Sequence, residues 1–100
     1  DILDTPALGG GIRHISKIIE EYFESKHFDE TKLLECLKFA DNKTIYKRLG
    51  YIMQIFNIKN DNITNFCLKN ISSGYSFLDP DIKSKGKILR KWNLRINAEL

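Results

Sequence analysis

Apolar residues recur along the first two-thirds of the chain at the three-and-four spacing of a helix face. In the stretch 12–23 they stand at Ile12, Ile15, Ile18, Ile19, Tyr22 and Phe23, and Arg13, Lys17, Glu20, Glu21 and Glu24 take the other side. Gly9, Gly10 and Gly11 free the backbone just before this helix. Phe28-Asp29 predicts a second start: Asp29 can accept from orphan amides, and Phe28 can staple onto Leu33. That helix runs to about Ala40, and Asp41-Asn42 mark the stop and the start of a third, which reaches about Asn57. A fourth spans roughly 60–71 and ends at Ser72-Ser73-Gly74, where Gly74 suits a left-handed cap.

After Gly74 the period becomes two. Tyr75-Ser76-Phe77 alternates, Asp79-Pro80 interrupts, and Trp92, Leu94 and Ile96 alternate with Asn93, Arg95 and Asn97. The pattern predicts two short strands joined by a basic loop of about a dozen residues. Two strands alone are marginal in water, so they must pack on the helices or join strands supplied upstream. The expected fold class is α+β, mainly α: a four-helix cluster followed by a short antiparallel β pair, in a single domain over residues 1–100.

The third helix carries the widest apolar arc. Ile45, Leu49, Ile52 and Phe56 form its stripe, with Tyr46 and Met53 on one flank and Ile55 on the other. An arc near half the circumference exceeds what a surface helix needs and places this helix at the centre of the core. Gly50 lies outside the stripe in mid-helix, at a cost of ~1 kcal/mol relative to alanine, so a second backbone is expected to cross close by. Arg48 borders the arc, where a partly desolvated guanidinium wants a carboxylate, Asp4 or Asp79, to clamp the chain ends to the helix. Direct partner contact is the other use open to it. Trp92 heads the apolar face shared with Leu94 and Ile96 and belongs in the core.

Composition narrows the class. At 100 residues, 42% hydrophobic and 29% charged, the chain has the make-up of one globular domain. No apolar run approaches the roughly 20 residues of a membrane span; no signal peptide is visible, which carries little weight in a piece of a longer protein, and the expected cytoplasmic location rests on the two unpaired cysteines. The chain starts with Asp1 and its sole methionine is Met53, so it looks like a piece of a longer protein. Cys36 and Cys67 each sit among apolar neighbours, as buried free thiols in a reducing compartment would. His14 and His27 stand near neither cysteine, so neither a metal nor another cofactor is expected.

Charge divides the chain in two. Residues 1–41 hold five basic and nine acidic residues, net −4, whereas residues 42–100 hold eleven and four, net +7. Lys83, Lys85, Lys87, Arg90, Lys91 and Arg95 follow one another with no acid among them. Such asymmetry points either to an anionic partner, nucleic acid or an acidic protein face, or to a solvated lysine-rich loop. Catalytic inventory is thin. Glu20, Glu21 and Glu24 are the densest carboxylates on one face, without a histidine to tune them. Gly9-Gly10-Gly11 lacks the Lys-Ser/Thr ending of a phosphate loop. No enzyme and no small-molecule substrate is expected.

Three segments together carry a family resemblance: Leu3-Asp4…Pro6…Gly10-Gly11-Ile12, Lys47-Arg48-Leu49-Gly50-Tyr51, and Gly86…Trp92-Asn93-Leu94-Arg95-Ile96-Asn97. In order and spacing, with the Leu78-Asp79 turn between the last two, the chain resembles the later part of the C-terminal domain of AbiEi-type antitoxins. These belong to type IV toxin–antitoxin (abortive infection) systems of bacteria. The resemblance implies a non-catalytic domain that counteracts a nucleotidyltransferase-like toxin and supports transcriptional autoregulation. Operator DNA would be read by an N-terminal winged helix of the full-length protein, which this chain does not contain. It assigns no antitoxic residue individually, so the basic run 83–95 is the candidate partner surface, and Arg48, Gly50 and Trp92 are candidate structural residues. The alternative is a helical nucleic-acid-binding or protein-interaction domain of an unrelated transcriptional regulator.

Overall fold

A computed structural model of the chain describes residues 11–40, 42–82 and 85–100. Four helices lead into a small sheet: α1 Gly11–Glu24, α2 Glu30–Ala40, α3 Lys43–Ile55, α4 Asp61–Asn70, then β1 Ser76–Phe77, β2 Lys87–Leu89 and β3 Leu94–Ile96. The class is α+β, mainly α, as the periodicity predicts.

Local chemistry sets the helix starts. Asp29 Oδ1 accepts the amide of Lys32 at the head of α2. Asn42 Oδ1 accepts from Thr44 and Ile45 at the head of α3, and Asn60 Oδ1 from Ile63 at the head of α4. Phe28 packs back onto α1, its ring 4.8 Å from that of Phe23 and 5.4 Å from that of Tyr22. Gly74 does not take the left-handed cap expected of it. The left-handed positions among the described residues are Asn57, Asn93 and Gly86, and α4 instead ends on an extended Ile71.

The sheet has one strand more than the alternation predicts, in the order β1-β3-β2. β1 and β3 pair in parallel, with Ser76 opposite Leu94 and Phe77 opposite Arg95. The antiparallel pair is β2 with β3, and β2 lies inside the stretch expected to be a basic loop. Lys87, Ile88 and Leu89 carry too short a pattern to be read as a strand. What makes them one is Gly86, whose positive φ lets the chain approach β3 so closely that a Cβ would lie 2.1 Å from the Ile96 carbonyl oxygen.

The core centres on α3. Residues 45–53 are all buried, joined by Ile12 and Ile15 of α1, Leu37 of α2, Ile63 and Cys67 of α4, and Leu78, Trp92 and Leu94 of the β region. Ile55, expected at the margin of the apolar arc, is exposed because the arc turns to solvent in the last turn of α3. Cys67 is fully buried as expected, but Cys36 is exposed: it lies off the Leu33, Leu34 and Leu37 face with which α2 meets the core.

Candidate functional site

The segment 47–54 of α3 and the turn before β3 meet at one junction. Lys47, Gly50 and Gln54 recur at i, i+3 and i+7, forming a second face of α3 on the side away from the Ile45–Leu49–Ile52 stripe. Trp92 packs against that face with no exposed surface, and its indole Nε1 donates to Gln54 Oε1 at 2.9 Å. A Cβ on Gly50 would fall 2.2 Å from two carbons of the indole ring. The close approach that requires glycine is therefore made by a side chain and not, as the sequence suggests, by a second backbone.

Two cations of the same helix hold β1. Lys47, completely buried, donates through Nζ to the Gly74 carbonyl and, at 3.0 Å, to Ser76 Oγ. Arg48 donates from Nε and a terminal nitrogen to the Phe77 carbonyl, at 3.3 and 3.2 Å. Together they satisfy carbonyls of a two-residue strand whose other edge pairs with β3. Burial pushes the Lys47 ammonium below its ordinary pKa, and the neighbouring Arg48 charge adds to the shift. Of the carboxylates expected for Arg48, Asp4 lies outside the described residues. Asp79 serves its own turn, accepting the Asp81 amide through Oδ1 at 2.9 Å.

Asn97 ties the other end of the sheet. Its Oδ1 accepts the Asp79 amide at 2.9 Å, and its Nδ2 donates to the Asp79 and Ile82 carbonyls at 2.8 and 3.1 Å. The primary amide thus replaces a strand partner for the Leu78–Asp79 turn. In the segments of the resemblance, Lys47, Arg48, Gly50, Trp92 and Asn97 are all scaffold.

The basic run is spread out. Lys83 lies outside the described residues. Lys85 precedes Gly86, Lys87 opens β2, and Arg90 and Lys91 form the β2–β3 turn, all four exposed. Lys91 Nζ rests 5.5 Å from the Trp92 ring centroid and, with Lys59, borders a cleft of about 300 Å³ over Gly50 and Trp92. Arg95 is half-buried on the central strand. Register places it in one row between Phe77 of β1 and Ile88 of β2, on the sheet face turned away from α3. The structure therefore gives not one patch but a basic edge with a single arginine on the open sheet face.

Sequence reasoning missed Lys47, the Asn97 bridge and the exposure of Tyr75, Phe77 and Ile88. The i, i+3, i+7 recurrence of Lys47, Gly50 and Gln54 was the available signal for the first. The register of a sheet with an unrecognised edge strand left none for the last. Among the described residues no group of three or more His, Cys, Asp or Glu side chains could hold a metal ion. No described helix is long and apolar enough to cross a membrane. Neither a protein-family model, nor a curated protein, nor a solved structure matches this chain.

Proposed function

We propose that this chain is a non-catalytic antitoxin domain of the kind it resembles. It counteracts a nucleotidyltransferase-like toxin in the bacterial cytoplasm and supports autoregulation at operator DNA through the full-length protein. One observation carries the reading. Among the described residues the fold uses buried Lys47 and the adjacent Arg48 as structural cations, whereas Lys85, Lys87, Arg90 and Lys91 stand exposed along β2 and its flanks, with the Lys91–Trp92 approach as their one contact that calls for a charge. Cations free of structural work, in a stretch without acids from Ile82 to Ala98, fit a role in meeting an anionic surface.

The test replaces Lys83, Lys85, Lys87 and Arg90 together by glutamine. Exposed charges contribute little to folding, so the melting temperature should hold. Growth rescue against co-expressed toxin, or gel shifts of operator DNA at two salt concentrations, should weaken. Full rescue together with unchanged shifts at both salts would refute the proposal. Loss of operator binding with rescue intact would favour the alternative of a nucleic-acid-binding domain of a regulator.

A further inference from the structure

We propose that the outward face of the sheet binds single-stranded nucleic acid, with Tyr75 and Phe77 stacking on bases and Arg95 held among them to meet phosphate. The inference goes beyond the antitoxin reading and does not depend on it.

Strand alternation and register define the face. Ser76 points inward, since its Oγ accepts from buried Lys47, and so Tyr75 and Phe77 on either side of it point outward. Phe77, Arg95 and Ile88 are direct neighbours across the three strands. Tyr75, Phe77 and Ile88 are 44%, 39% and 49% exposed, although the opposite face buries Leu78 and Leu94 completely. Two rings two residues apart on one strand stand about 6.6 Å from each other along it, so each can take its own base.

The surroundings select the occupant. Arg95 is the one cation that register sets on the face itself; Lys85 and Lys87 stand exposed along the β2 edge, Lys87 alternating to the other side of the strand from Ile88, and Arg90 stands exposed in the turn at the far end. Exposed rings on a sheet face with an arginine among them and cations along its edge are the working parts of single-strand binders. A guanidinium between two apolar neighbours can stack on a base and hydrogen-bond a phosphate at once. A duplex keeps its bases stacked on each other and offers the rings nothing beyond its backbone charge. The edge cations alone would bind duplex and single strand through phosphates; the rings make the difference.

The experiment uses the 100-residue chain and fluorescein-labelled oligo(dT) of twelve nucleotides, free or annealed to oligo(dA), with anisotropy read at two salt concentrations. The single strand should bind at least several-fold tighter than the duplex. Tyr75→Ser and Phe77→Ser should each weaken single-strand binding roughly tenfold, the size of one lost base stack, without changing the salt dependence. Arg95→Gln should lower the salt slope by about one phosphate contact. Phe77→Leu keeps the apolar surface but removes the stacking face, so it must weaken binding even if the serine variant folds poorly. Equal affinity for single strand and duplex, no binding of either, or ring variants that bind like the parent would overturn the proposal. Ring variants that lose toxin rescue in cells while the parent shows no oligonucleotide binding would assign the face to a protein partner instead.

Discussion

α2 and α3 are neighbours of similar length, 11 and 13 residues, yet α2 buries one residue, Leu37, while α3 buries nine in succession. Their hydrophobic content does not explain the gap. α2 meets the core along one edge, through Leu33, Leu34 and Leu37, and leaves Phe39 at its C-terminal end 94% exposed. α3 is enclosed on two sides. One side is an apolar stripe against the other helices, tied to α2 by the Tyr46 hydroxyl donating to the Leu37 carbonyl and to α4 by Tyr46 edge-on to Phe66. The other is a face of Lys47, Gly50 and Gln54 that seats Trp92 and, with Arg48 at the border of the stripe, holds β1 by hydrogen bonding. Burial of the second kind needs no apolar residues on the helix; it needs a gap of the right size and donors at the right places.

The largest effect should come from closing that gap. Gly50→Ala puts a methyl group into the indole ring, and with Trp92 fully enclosed the junction must open. Overpacking of this severity should cost about 3 kcal/mol, read as a fall in the urea midpoint at constant slope. Gly50→Leu should be no worse in kind, since both unseat the same ring. The sharper version repeats Gly50→Ala in a Trp92→Leu background. With the ring gone the alanine should become neutral or stabilising by up to ~1 kcal/mol, its ordinary advantage inside a helix. Additive losses would mean that Gly50 answers to something other than Trp92.

Lys47→Met comes next. It removes a buried ammonium and takes the donor from the Gly74 carbonyl and Ser76 Oγ, two part-buried hydrogen bonds whose loss should cost roughly 1–2 kcal/mol. The same change at exposed Lys38 of α2 should be close to silent, so the pair measures the contrast between the two helices directly in chemical denaturation.

These two faces of α3 also mark how far the sequence can be read. The Ile45–Leu49–Ile52 stripe, the helix start at Asp41-Asn42 and the core placement of Trp92 follow from periodicity and side-chain chemistry. Gly50 announces a close approach, but which group approaches depends on a turn forty residues later. Lys47 is written in the code of a solvent-facing residue; only the position of the Gly74 carbonyl makes it structural. The basic run was visible as charge, but its division into an edge and a lone Arg95 on the sheet face depends on the pairing of β2. A three-residue strand carries too few alternations to announce that pairing.

Alkaline titration probes the shared core at smaller scale. Burial pushes the Cys67 thiol up from 9.0 to about 12. Above pH 9 the unfolded chain releases a proton that the folded protein keeps, so stability should fall as pH rises from 9 toward 12. The slope from this group is at most ~1.4 kcal/mol per pH unit. Tyr51, raised by burial, acts in the same direction above pH 10, and Lys47, lowered, acts against both. Cys67→Ala should lower overall stability but flatten the decline in melting temperature from pH 9 to 11. An unchanged slope would mean that the thiol reaches solvent in the folded state. Smallest of all should be Phe39→Ser, within about 0.5 kcal/mol, since so exposed a ring has little packing to lose.

Native-state hydrogen exchange tests the contrast between the helices most directly. If α3 is held from both sides, the amides of residues 45–53 should exchange only through global unfolding and follow its free energy as denaturant is added, while those of residues 30–40 open locally at lower cost. Residues 45–53 opening as readily as residues 30–40 would contradict an α3 fastened by Lys47, Arg48 and the Gly50–Trp92 contact.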